Sequence, residues 1–170
     1  MRTLILFLLL VTNAQAKLDI QHWTTPEGAK VFFAQTKGLP ILDVALNFDA
    51  AASRDGDQFG LASLTNGLLG TATQYHNEEQ IINAFESVGA QFSTSSLKDM
   101  SIVSLRTLTR QPILKKSLDI FTEVITQPSF EQKYLTREKR QTLRAIEAAK
   151  QSPASVASLA FNEAVFGDHP

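Results

Sequence analysis

Phe59-Gly60-Leu61-Ala62-Ser63-Leu64-Thr65-Asn66-Gly67-Leu68-Leu69-Gly70-Thr71 is the stretch on which the fold turns. Leu61, Leu64, Thr65 and Leu68 recur at intervals of a helix with one apolar face, and Gly70-Thr71 ends the run. Just upstream the period is different. From Ile41 to Phe48, Val44, Leu46 and Phe48 fall on one side and Asp43, Ala45 and Asn47 on the other, the alternation of a half-buried strand. Polar Ser53-Arg54-Asp55-Gly56-Asp57 separates the two patterns. Before the strand, Val31-Phe32-Phe33-Ala34 follows the turn-like Pro26-Glu27-Gly28 and predicts a strand neighbouring 41–48.

Downstream of Thr71, Asn77-Glu78-Glu79 opens a second helix, with Asn77 as N-cap and two carboxylates where the helix dipole favours negative charge. It carries Ile81, Ile82, Phe85 and Val88 to a stop at Gly89. Residues 90–95 and 100–108 form the arms of a hairpin around Leu97-Lys98-Asp99. Pro112 suits a first helical position, and Leu114, Leu118, Phe121 and Ile125 then mark a core-facing helix with a Lys115–Asp119 pair at i,i+4. A long polar helix over 131–151 follows Gln127-Pro128-Ser129, and Ser152-Pro153 separates it from a shorter one ending at Phe166-Gly167. Strands and helices thus come in blocks, β-β-α-α-β-β-α-α-α. This order predicts an α+β two-layer domain, a mainly antiparallel sheet covered by helices, over 17–170.

The first sixteen residues are of another kind. Met1-Arg2-Thr3 is a cationic start, Leu4 to Val11 is wholly apolar, and Ala14-Gln15-Ala16 has the small-x-small pattern of a signal-peptidase site. The apolar run is far short of the roughly 20 residues that span a bilayer. The expectation is a signal peptide over 1–16, no stable membrane anchor after cleavage, and a periplasmic or secreted product.

Composition removes several kinds of chemistry. The 170 residues hold 16 Lys+Arg against 17 Asp+Glu, for a formal charge of −1, which gives no basic footprint for nucleic acid. With no Cys there is no disulfide, thiolate metal site or cysteine nucleophile. The three histidines, His22, His76 and His169, do not fall at zinc-helix spacing, and no G-x-S-x-G is present. His76 with Glu78 and Glu79 is the tightest group of possible metal ligands, but those acids are equally explained as complements to a helix N-terminus. Taken alone, the residues display no catalytic constellation.

Set in order, however, several landmarks recur. Ala51-Ala52-Ser53-Arg54, the 59–71 stretch, Phe85-Glu86-Ser87-Val88-Gly89-Ala90, the following hairpin, Pro128-Ser129-Phe130 and Phe166-Gly167-Asp168-His169-Pro170 together resemble the amino-terminal domain of the pitrilysin/insulinase family of zinc metallopeptidases. The resemblance runs from about residue 20 to 170, and implies a chain that stops within the family's first domain. In that family the helix reads G-L-A-H-x-x-E-H-x-x-x-x-G-T, two His binding zinc and the Glu activating a metal-bound water. The matching positions here are Ser63, Asn66 and Gly67, and the family's spacing places the third ligand, a Glu, at Arg144. None of these supplies a zinc ligand or a general base.

The resemblance therefore implies a non-catalytic subunit with no cofactor of its own, paired as a heterodimer with a catalytic homologue that carries the zinc, shaping a chamber and binding peptide substrates. Two other readings stand beside it: an active zinc peptidase whose metal is held by His76 and Glu79 with His22 or His169, and a free-standing periplasmic peptide-binding scaffold. Arg144 has two readings as well. It fills the vacated site by hydrogen bonding to Asn66 or a carbonyl, or it is a surface residue of a polar helix.

Overall fold

The computed structural model describes residues 19–167; the expected signal peptide and His169 lie outside the described residues. The chain divides into two compact units at the Leu39–Pro40 junction. The first contains an antiparallel hairpin of β1 (Ile20–Thr24) and β2 (Lys30–Ala34), in which Ile20 faces Ala34 and Thr24 faces Lys30. Its turn is closed by Gly28 N–H donating to the Thr25 carbonyl and by Thr25 N–H donating to the carbonyl of Ala29, each at 2.9 Å. β1 was not expected from the sequence, and it corrects the predicted pairing. β2 pairs with β1, while the strand at 41–48 pairs elsewhere. Ile20–Thr24 lacks the alternation that marks the other strands, so β1 leaves no period-two signal in the sequence.

The second unit is built on a three-stranded antiparallel sheet in the order β3-β5-β4, with β3 spanning Ile41–Phe48, β4 Gln91–Ser96 and β5 Ser101–Leu108. The register sets Ile41 against Leu108 and Gln91 against Arg106. β5 is central, and Ser101, Val103, Leu105 and Thr107 are buried on one face. On the opposite face Arg106 makes two hydrogen bonds, at 2.6 and 3.0 Å, to its cross-strand partner Asp43. Such one-sided alternation is what an antiparallel sheet shows when a single face is covered.

Five helices follow in order: α1 (Leu61–Leu68), α2 (Glu78–Glu86), α3 (Ile113–Thr126), α4 (Gln132–Lys150) and α5 (Pro153–Phe166). Asn77 caps α2 as expected. Its side chain accepts from Gln80 N–H while the Gln80 side chain accepts from Asn77 N–H, a reciprocal capping box. Ser152 caps α5 with Pro153 at its first turn. Pro112 sits at the N-cap of α3, one position earlier than expected.

The main core joins α2 and α3 to the sheet: Ile81, Phe85, Ala90, Val103, Leu105, Ile120, Phe121 and Val124 are buried together, with Phe92 stacked on Phe85 at 5.2 Å. α3 is rotated slightly from the predicted face. Ser117, Ile120, Phe121 and Val124 are buried, whereas Leu118 and Ile125 are only half-buried. The buried Ser117 hydroxyl explains the shift, because it donates to the Ile113 carbonyl at 2.9 Å and lies 2.8 Å from the Thr107 hydroxyl on β5. A smaller cluster of Leu68, Ala72 and Tyr134, with Leu135 against it, packs α1 and α4 together.

Candidate functional site

α1 brings the motif positions together. Asp55 positions its start: one carboxylate oxygen accepts from Gly60 N–H at 2.7 Å and the other from Ala62 N–H at 2.8 Å. A carboxylate there satisfies unpaired amides and complements the helix dipole. Gly60, with φ of 90°, lets the chain enter the helix from the left-handed region. The role of Asp55 was missed in the sequence because it lies five residues before the cap, inside a run that read simply as polar.

Four residues apart, Ser63 and Gly67 occupy one exposed face of α1. Nothing lies within 4 Å of where a Cβ on Gly67 would stand. Asn66 is turned inward and is only 4% exposed; its Nδ2 donates to the Ser95 carbonyl on β4 at 3.0 Å. Asn66 Oδ1 is buried without a hydrogen-bond partner. The residue at the general-base position is thus a tie between helix and sheet. Its amide has no accessible base function at neutral pH.

Arg144 does not fill the vacated site. It is exposed on α4, and no hydrogen bond joins it to Asn66 among the described residues. Of the two readings of Arg144, the surface position is the one found.

The His76 group is also redistributed. His76 Nδ1 lies 2.7 Å from Glu123 Oε1 on α3, and the Thr73 hydroxyl donates to the same oxygen. Burial works against the Glu123 carboxylate, but the hydrogen bonds from His76 and Thr73 outweigh it and hold its carboxyl below the usual range. Glu78 instead receives both Nη groups of Arg137, each at 2.7 Å, which lowers the Glu78 carboxyl and raises Arg137. Glu79 is exposed. These bonds tie the α1–α2 loop to α3 and α2 to α4, and they engage His76 with Glu123, not with Glu79. Among the described residues no three His, Asp or Glu side chains converge as a metal set.

A cavity of about 490 Å³ opens beside α1, walled by Phe48, Leu61, Val103, Ile125 and Phe130 with Asn66 among its few polar neighbours. Such concave, mostly apolar space is what a binding site requires. Among the described residues no helix is long and apolar enough to cross a membrane.

The second unit is an α+β domain, an antiparallel sheet with α1 and α4 packed on each other, and comparison with known proteins gives its class. Residues 31–170 match the family described as Insulinase (Peptidase family M16). The chain belongs to this family. Among solved structures it is similar to the peptidase M16 inactive domain from Pseudomonas fluorescens, at 38% identity and a TM-score of 0.86, covering 90% of this chain and 37% of that one. A protease from Helicobacter pylori shares the fold at 15% identity and a TM-score of 0.72, with 82% of this chain and 34% of that one covered. The chain therefore spans little more than a third of the length of these relatives. Comparison with curated proteins gives no match.

Proposed function

We propose that this chain is a non-catalytic, peptidase-like subunit that works beside a zinc-bearing homologue, in the periplasm or outside the cell, shaping a chamber and binding peptide substrates. The observation that carries this reading is α1 itself: the helix is intact and capped, yet it presents Ser63, Asn66 and Gly67 where the chemistry would need two imidazoles and a carboxylate. The likeness to a domain described as inactive supports it.

Peptide binding has a physical basis in β4. It is an edge strand of the β3-β5-β4 sheet, and the described residues place no strand against its outer side. Unpaired N–H and C=O groups along an edge can accept an extended peptide as an added strand. Zinc and the water-activating carboxylate would reside in the partner.

The test is co-expression of the tagged full-length chain with a homologue carrying H-x-x-E-H from the same cells. The expected result is recovery of both chains and hydrolysis of unfolded peptide by the pair, with none by the tagged chain alone. Recovery of the tagged chain without the homologue would refute the partnership and favour a free-standing scaffold.

A further inference from the structure

α4 changes character halfway along its length. In its first turns each cation is matched: Lys133 with Glu131 at 2.9 Å, and Arg137 with Glu78 and Glu138. Beyond them, Lys139, Arg140 and Arg144 are exposed and have no acidic partner among the described residues. Glu147, which lines a groove with them, is engaged by Lys150 at 2.8 Å. Helical spacing sets Lys139 and Arg140 one turn before Leu143, which is 63% exposed, and Glu147 one turn after it; with Arg144, the residue following Leu143, they line one shallow groove.

Arg140 and Arg144 are four residues apart, so their charges repel along the helix. The one acid lining this groove, Glu147, is held by Lys150, which leaves the groove with a surplus of positive charge. An exposed leucine that shares a groove with three cations lacking acidic partners is complementary to a polypeptide that offers an apolar side chain beside carboxylates. A nucleic acid would use the cations but would leave the leucine without a partner.

We propose that the Lys139/Arg140/Arg144 face of α4, centred on Leu143, binds acidic peptide segments that carry an apolar residue between their carboxylates. The inference rests on the peptide-binding reading above and names its substrate class. Guanidinium groups suit carboxylates because they bind them in paired hydrogen bonds, and Leu143 fixes the register of the bound segment.

The test is fluorescence anisotropy with the full-length chain and three labelled probes: a decapeptide of Glu and Asp around a central Leu, its Gln/Asn counterpart, and a single-stranded oligonucleotide of equal charge. The acidic peptide should bind at least tenfold more tightly than the neutral one and weaken with added salt. The triple variant Lys139→Glu, Arg140→Glu, Arg144→Glu should lose that difference, and Leu143→Ser should weaken the acidic peptide several-fold. All four positions are exposed, so circular dichroism should show these variants folded. Equal binding of the acidic and neutral peptides, an unaffected triple variant, or an oligonucleotide that binds as tightly as the peptide would overturn the proposal. Recovery of the catalytic homologue by the triple variant is scored separately. Equal binding of the acidic and neutral peptides by the unaltered chain, with the homologue still recovered, sinks only this inference, while an acidic preference kept without recovery of the homologue sinks only the partnership.

Discussion

Gly67 and Gly70 lie three residues apart, and the structure assigns opposite outcomes to replacing them with alanine. Gly67 is inside α1, on its exposed side, with ordinary helical backbone and no heavy atom within 4 Å of an added Cβ. Gly67→Ala then gains the helix propensity that glycine forfeits, about 0.5–1 kcal/mol. In a chain of this size each kcal/mol moves the midpoint by roughly 2–4 °C, so a rise of about 1–4 °C is expected. Gly70 has φ of +87°, and its Cβ would stand 2.8 Å from Phe92 Cε1. That ring cannot easily retreat, because it stacks on Phe85 and meets Phe121 edge-on at 6.2 Å. Left-handed strain of about 1–2 kcal/mol adds to overpacking of about 1–3 kcal/mol, and Gly70→Ala should lower the midpoint by at least about 4 °C. Thermal unfolding followed by circular dichroism reads both. The pair also bears on function: if Gly67 is sterically free, packing does not require the loss of a side chain at the second motif position. A fall in midpoint for Gly67→Ala, or none for Gly70→Ala, would refute the reasoning.

Two further outcomes follow from the core and the ion pairs. Leu105→Ala should cost about 2–5 kcal/mol, measured by urea unfolding, because Leu105 is 1% exposed at the centre of the main cluster; a loss below about 1 kcal/mol would mean that β5 is not where the core is built. Glu78 and Glu123 have folded-state pKa values held below their ordinary 4.5 by Arg137 and by His76 and Thr73. Their contribution is therefore present above about pH 4.5, the unfolded value, and is lost as pH falls through the lower folded values. Glu78→Gln with Glu123→Gln should flatten the acid limb of the stability curve while the wild type declines below that pH; parallel limbs would contradict the ion-pair geometry.

How much of this was legible in the sequence depended on whether the signal was local. Period-two alternation found β3 and β5, and the Asn77 cap with its neighbouring acids found α2, because both patterns are written within a few residues. The hairpin around Leu97-Lys98-Asp99 likewise needs only its own turn. Strand partners are not local. The pairing of β3 with β5 joins residues about sixty apart, and β1 was invisible because its five residues do not alternate. The rotation of α3 depended on the Ser117 hydroxyl finding Thr107, which no helical wheel contains.

At the site, the family was legible through the order of its landmarks, and the family match over residues 31–170 bears that out. The present engagements of the site residues were not. Asn66 meets Ser95 through a fold in the chain twenty-nine residues long, and His76 meets Glu123 across forty-seven. Asp55 reaches the start of α1 through backbone amides, a bond type that leaves little trace in side-chain patterning.

We propose that α1 is a zinc helix that has lost its ligands. Metal content of the purified full-length chain, measured by inductively coupled plasma mass spectrometry after dialysis against zinc and then zinc-free buffer, tests it most directly. Zinc far below one equivalent is expected, with Ser63→His, Asn66→Glu, Gly67→His and Arg144→Glu together as the variant able to retain more. One equivalent of zinc retained by the unaltered chain would contradict it.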